Sequence, residues 1–394
     1  MTSPSAADPS RAPSRPRGRN APGTLALGLF GIAVSVLILE TFLRVYDPFG
    51  QRVWGDRIIL STRTRKVFDN RENPRLDATV VFSKNSIGFR GPDPPPRFDE
   101  QLTVVAVGGS ATECLYLTDG KDWPQALGAL LAGSFSGVWV NNAGLDGHST
   151  YGHILLVRQR IARLRPRIVL FMVGINDLGR TQMRPQDRAL VDGEGVPWAV
   201  RLARHSAVIA TALNLRRGWE AQQLRLPYRE IDLRATPAFL PGRRHREDAL
   251  ATHRAHLPAY AERLAELVRL CRDAGIEPVL LTQPVLYGFG VDDVTGTDLG
   301  EIEVDRERLL NGRGAWELLE LYNDVVRSVG ARNGLLVIDV ARRLPKSSRL
   351  FYDFVHFTNA GAEEVARIAF ESLCPFLAQR FPERGTAACP AAGP

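Results

Sequence analysis

Lysine and cysteine are scarce in this chain. Only Lys66, Lys84, Lys121 and Lys346 stand among its 50 basic residues, and the arginines that make up the rest are scattered. That scatter gives a formal charge of +7 and solubility, without the clustered basic face that grips a phosphate backbone. Zinc-finger spacing, an aromatic platform for single strands and a long basic helix are missing too, which argues against a nucleic-acid partner. The four cysteines, Cys114, Cys271, Cys374 and Cys389, form no CxxC pair, so no structural zinc site is expected. One or two disulfides stay open for an oxidising compartment, with three full pairings to choose among. No internal repeat is apparent.

What is present suffices for a sizeable core: 394 residues, 44% of them hydrophobic, enough for one large domain or two. Residues 1–20 are rich in Pro, Ser, Ala and Arg and are expected to form a disordered cytoplasmic tail. From Ala21 to Leu39 no charge occurs. As a helix this run measures about 28 Å, close to the hydrocarbon thickness of a bilayer. Residues 21–45 are therefore read as a transmembrane anchor. Arg11, Arg15, Arg17 and Arg19 precede it and hold that end in the cytoplasm, leaving the remainder outside. A cleaved signal peptide and a buried core helix are the rival readings; no good small-x-small cleavage site precedes Glu40.

Residues 46–100 read as a polar connector and lead-in. It contains Asn85-Ser86-Ile87-Gly88-Phe89-Arg90-Gly91-Pro92, a glycine-punctuated run that suggests an ordered turn, followed by a spacer at Pro94, Pro95 and Pro96. Arg90 is expected as a loop arginine, solvated or bound to carbonyls.

Between 101 and 380, apolar runs alternate with amphipathic stretches. Strands are expected at Val104–Val107, Val138–Asn142, Ile168–Val173, Pro278–Thr282 and Leu335–Asp339. Helices are expected at Trp123–Leu131, Tyr151–Leu164, Tyr260–Ala274, Trp316–Val329 and about Ala360–Leu377. The alternation argues for an α/β fold with a five-stranded parallel sheet between helical layers and right-handed crossovers. Around 179–248 the pattern loosens into an inserted cap region with a helix near Val200–Leu213. Residues 381–394 read as a flexible tail.

Val104-Val105-Ala106-Val107-Gly108-Gly109-Ser110-Ala111-Thr112 is a buried strand that stops at two glycines and presents one serine. Open α/β sheets bind ligands at the carboxyl ends of their strands. Acyl transfer by a serine needs a base, an acid to orient that base, and donors for the oxyanion. Asp353-Phe354-Val355-His356-Phe357-Thr358 offers the first two: a three-residue offset on a tight turn lets Asp353 bind one imidazole nitrogen and leaves the other for Ser110. Thr358 or Asn359 then suits the N-cap of the last helix. The donors expected for the oxyanion are the Ser110 N–H, the Gly144 N–H and the Asn176 side-chain amide, the last two closing neighbouring strands. Asp177 is expected to anchor its own turn, and Glu113 and His148 to be structural. His153, His205, His245, His253 and His256 are expected on the surface or along helices. Asp339 ends a strand without a histidine nearby and ranks below Asp353.

In these blocks the chain resembles the SGNH (GDSL) hydrolase superfamily. The nucleophile block is Gly109-Ser110, the glycine block Asn142-Ala143-Gly144, the asparagine block Gly174-Ile175-Asn176-Asp177, and the last block Asp353-Phe354-Val355-His356 with Thr358. Gly109 departs from the aspartate of the family's name. The resemblance implies a three-layer flavodoxin-like α/β/α domain and serine-dependent hydrolysis of an O-acyl ester, with catalytic Ser110, Asp353 and His356 and no metal or organic cofactor. Asn85–Pro92 together with the anchor resembles bacterial membrane-tethered relatives, which points to an extracytoplasmic esterase acting on O-acetyl groups of envelope carbohydrate. An O-acyltransferase with the same triad and a catalytically silent envelope-assembly or glycan-binding module are the alternatives. The oligomeric state is left open.

Overall fold

A computed structural model describes residues 21–46, 53–54, 57–58, 60–70, 73–179, 202, 205–212, 215, 231–305 and 309–389. The expected tail 1–20 and parts of the expected helix Val200–Leu213 lie outside these residues, as do stretches of the 179–248 insert; within that expected helix, residues 207–212 are helical.

Helix α1 (Ala21–Val45) comes first, and its segment Leu25–Val45 is long and apolar enough to cross a membrane. Next come an antiparallel hairpin, β1 (Thr64–Asp69) with β2 (Thr79–Lys84), in which Thr64 faces Lys84 and Asp69 faces Thr79. The parallel sheet is built from β3 (Leu102–Gly108), β4 (Val138–Asn142), β5 (Ile168–Met172), β6 (Glu277–Leu281) and β7 (Val337–Ile338). Its order is β7-β6-β5-β3-β4, all five strands parallel. Strand β3 is an interior strand, paired with β5 on one side and β4 on the other, and is buried along its whole length, as an apolar run without alternation requires.

Helices cover both faces. α3 (Trp123–Ala132) packs against α8 (Asn359–Arg380) on one side. On the other, α6 (Leu257–Asp273) packs against both α4 (Thr150–Leu156) and α7 (Gly312–Asn333), with α5 (Arg243–Arg254) against α7. Side-chain caps set several starts: Asp122 accepts from the Gln125 amide, Asn311 from Gly314 and Thr358 from Gly361. Between β3 and α3 lies a single turn, α2 (Ser110–Glu113), with Ser110 as its first residue.

Two expectations need correction. The 46–100 stretch is more than a connector, because β1 and β2 pair along six positions and tie into the sheet domain. Ser83 and Val81 amides donate to the Asp119 carboxylate and the Thr118 hydroxyl, and Asp77 takes hydrogen bonds from Lys121 and from Asn359 at the start of α8. Residues 381–389 are held as well. Cys389 forms a disulfide with Cys374, and the Thr386 amide donates to Ser134. Cys114 and Cys271 are buried free thiols. His153 and His253 lie along α4 and α5, within the expectation, and both are buried. His253 Nδ1 meets the Tyr322 hydroxyl at 3.2 Å, while His153 Nδ1 has no partner.

Burial holds the His153 imidazole well below its ordinary value, with His148 nearby adding to the effect. The folded protein therefore keeps this ring neutral while the unfolded chain protonates it below about pH 6.5. The unfolded state binds the extra proton, so stability falls as pH drops through that value. Urea unfolding between about pH 7 and pH 5 should show His153→Phe losing less stability on acidification than the parent, by up to about 1.4 kcal/mol per pH unit.

Candidate active site

The geometry grows from the end of β3. Gly109 lies between the strand and α2, and a Cβ there would come within 2.2 Å of Asn176 Nδ2. The missing side chain is what lets the Asn176 amide lie against the backbone that leads into Ser110. Ser110 itself is buried, 5% exposed.

Facing it is the turn that precedes α8. The Asp353 carboxylate accepts from the backbone amides of Val355 and His356, at 2.8 and 2.7 Å, which closes the turn on itself. Its other oxygen meets His356 Nδ1 at 2.6 Å, and His356 Nε2 meets Ser110 Oγ at 2.8 Å. A carboxylate can only accept, so Nδ1 carries the ring proton and Nε2 is left as acceptor for the serine hydroxyl. Tyr352 stacks on the imidazole with ring planes 15° apart and centroids 5.7 Å apart. Thr358 caps α8, and its hydroxyl donates to the Arg349 carbonyl, fixing the far end of the same turn.

Asn176 stands on the 3-10 turn after β5, where its Nδ2 donates to the His148 carbonyl at 3.0 Å. An amide nitrogen has two hydrogens, so one remains. Asp177 does not simply anchor its own turn: it accepts from the Thr150 amide and hydroxyl at the start of α4 and pairs with Arg263 at 3.3 Å. The Ser110 amide lies in the first turn of α2, where no intrahelical carbonyl reaches it. Gly144 departs from expectation. Its N–H donates to Asn142 Oδ1 at 2.9 Å, and its Cα packs on α2, where a Cβ would sit 2.3 Å from the Glu113 nitrogen. The structure thus brings Ser110, Asn176, Asp353 and His356 together and puts Gly144 beside them with its amide engaged. Asp339 is occupied elsewhere, by Arg327 and Thr282.

Beneath α2 lies a polar network centred on Arg90. Of the two settings expected for this arginine, solvated or bound to carbonyls, the structure shows the second, with the side chain fully buried. Its Nη1 donates to the Glu113 and Cys114 carbonyls at 2.7 and 2.6 Å, and its Nη2 to the Leu117 carbonyl at 2.8 Å and Asp119 at 3.1 Å. The guanidinium also lies 4.6 Å from the Phe82 ring centroid and 3.6 Å from Asp122. Burial pushes the Asp122 carboxyl up, against the pull of Arg90 and of Asn142 Nδ2, which donates to it at 3.0 Å. Asn142 Nδ2 reaches the Thr112 carbonyl as well, and the backbones of Arg90 and Asn142 exchange two 2.9 Å hydrogen bonds. Glu113 is structural in the same sense: Lys84 approaches one oxygen at 3.3 Å, and the Asp146 amide donates to the other. The glycine-punctuated Asn85–Pro92 run and the paired Asn141-Asn142 at a strand end were the available signals.

Residues 106–364 match the GDSL-like Lipase/Acylhydrolase family. Among solved structures, the chain is similar to an acetylxylan esterase from Geobacillus stearothermophilus (15% identity, TM-score 0.40, covering 69% of this chain and 94% of that one). It is also similar to an alpha/beta hydrolase enzyme from the metagenome of Lake Arreo, Spain (19% identity, TM-score 0.38, covering 70% and 93%). No curated protein matches the chain.

Replacing Arg90 by Met strands three α2-proximal carbonyls and two carboxylates without their cation. Breaking a buried pair in this way costs about 3–5 kcal/mol, and denaturant unfolding should show a loss of that size. Arg90→Lys, which keeps the charge but not the fork, should fall between.

Proposed function

The chain belongs to the GDSL-like lipase/acylhydrolase family, and from that premise we propose that it is a serine esterase whose nucleophile is Ser110. The observation that carries this reading is the unbroken relay Asp353–His356–Ser110, with contacts of 2.6 and 2.8 Å. His356 takes the serine proton as Ser110 Oγ attacks the acyl carbonyl and returns it to the departing alkoxide. Water then attacks the acyl-enzyme with His356 again as base, releasing the acid. Asp353 holds the ring in the required tautomer and stabilises the imidazolium. The carbonyl oxygen, negative in the tetrahedral intermediate, is met by the Ser110 N–H and the free hydrogen of Asn176 Nδ2. The Gly144 amide joins them by exchanging Asn142 Oδ1 for the oxyanion.

The domain is held outside the cytoplasm on a membrane anchor. Three features support this: the charge-free run 21–39, the arginines before it, and the Cys374–Cys389 disulfide, a bond suited to an oxidising compartment. A site in that position meets O-acylated, chiefly O-acetylated, carbohydrate of the cell envelope.

Ser110→Ala should abolish both p-nitrophenyl acetate turnover and labelling by a fluorophosphonate. Asn176→Ala should lower kcat by on the order of 10²–10³ with the labelling site intact. Full activity in Ser110→Ala would overturn the assignment. Product analysis with an added sugar acceptor reads hydrolysis as free acetate and transfer as a new sugar ester.

A further inference from the structure

The insert returns to the anchor. Glu40 lies within the apolar span of α1, immediately after the charge-free run, and its carboxylate is used to cap a helical turn of the insert. Glu40 Oε1 accepts from the Ala207 amide at 2.7 Å, and Oε2 accepts from the Val208 amide at 3.1 Å and the Ser206 hydroxyl at 2.9 Å. Arg44, one turn on, donates to Glu40 at 2.8 Å and to the His205 carbonyl at 2.5 Å. Ala207, Ala210 and Thr211 are buried, whereas Leu202, Ala212 and Leu215 are exposed.

We infer that the insert segment around Ser206–Ala212 is a membrane-surface element, seated in the headgroup layer of the outer leaflet. The inference rests on the anchor reading under the proposed function. A carboxylate inside an apolar span is costly unless its charge is met, and here two backbone amides, a hydroxyl and a guanidinium meet it. They do so only if the insert lies at the depth of Glu40. That residue is five positions before the end of α1, about 7.5 Å along the helix axis. An apolar surface continuous with a lipid-embedded helix at that depth faces lipid. Exposed Leu202 and Leu215 flank the capped turn and suit the acyl boundary.

The other end of the insert reaches the active site. The Ile231 amide donates to the carbonyl of Tyr352, the residue stacked on His356. The described parts of the insert therefore touch the anchor at Glu40 and the neighbour of the histidine at Tyr352. The partner is the bilayer surface, and the esters that profit are those carried on it.

Full-length protein in phosphatidylcholine–phosphatidylglycerol vesicles tests this, with an environment-sensitive fluorophore on Ala212→Cys. Leu29→Cys in the anchor and Val67→Cys on the β1 strand are the controls. Doxyl-labelled lipids should quench the probes at 29 and 212 but not at 67. Quenching at 29 with none at 212 overturns the membrane-surface assignment while the anchor stands. Absence of quenching at 29 overturns the anchor and the assignment with it. Glu40→Ala should release the probe at 212 and leave soluble p-nitrophenyl acetate turnover unchanged. Turnover of a vesicle-borne acyl ester should drop about tenfold, less than the loss of a whole tether would give, because the insert's contact with the surface is lost while the anchor remains. Equal turnover of both esters in that variant would also overturn it.

Discussion

A single buried guanidinium underlies the nucleophile. Arg90 arrives from before the sheet domain and ties together the carbonyls that end α2, the loop that follows, and two aspartates. A cation with no solvent contact must be met by acceptors in fixed positions, because nothing else compensates the lost hydration. The planar fork supplies that geometry in a way an ammonium would not. The turn that presents Ser110 is consequently held from below by a charge and from the front by His356. Asn142 connects this support to the oxyanion side, bonding both the Thr112 carbonyl and the Gly144 amide.

The parts that could be read from the sequence were those with local signatures. β3 is an apolar run closed by glycines, and the structure places it between β5 and β4 inside the sheet, buried throughout. The Asp353–His356 spacing encodes a turn that a carboxylate closes on its own backbone, so its geometry is nearly self-contained. Asn176 follows the end of β5, where a strand-to-turn transition is expected. Each of these depends on residues within a few positions of one another.

Other features depend on distant partners. Arg90 in isolation is one arginine among many in a chain full of them, and only its three-dimensional surroundings make it a buried tie. The β1–β2 hairpin is polar and short, and most of its β1 face is exposed, so periodicity gives little sign of it. Chain order sets the Gly144 amide near the serine, but nothing local signals that the Asn142 side chain two residues earlier takes its N–H. Asp177 likewise found its partners on α4 and α6, far along the chain. The disulfide chose one of several pairings because Cys374 on α8 and Cys389 are brought together when the terminal segment folds back beside Ser134.

The separation of Ser110 from His356 by 246 positions has a consequence for biogenesis. A growing chain has its first helix, the hairpin, Arg90 and the serine before half of it has been made. The base that activates the serine follows only near the end, on the turn that starts the last long helix. A chain made only that far holds Ser110 without His356, its hydrogen-bond partner in the folded protein. The Ser110–His356 contact is completed only once α8 packs beside α3, the helix that follows the serine.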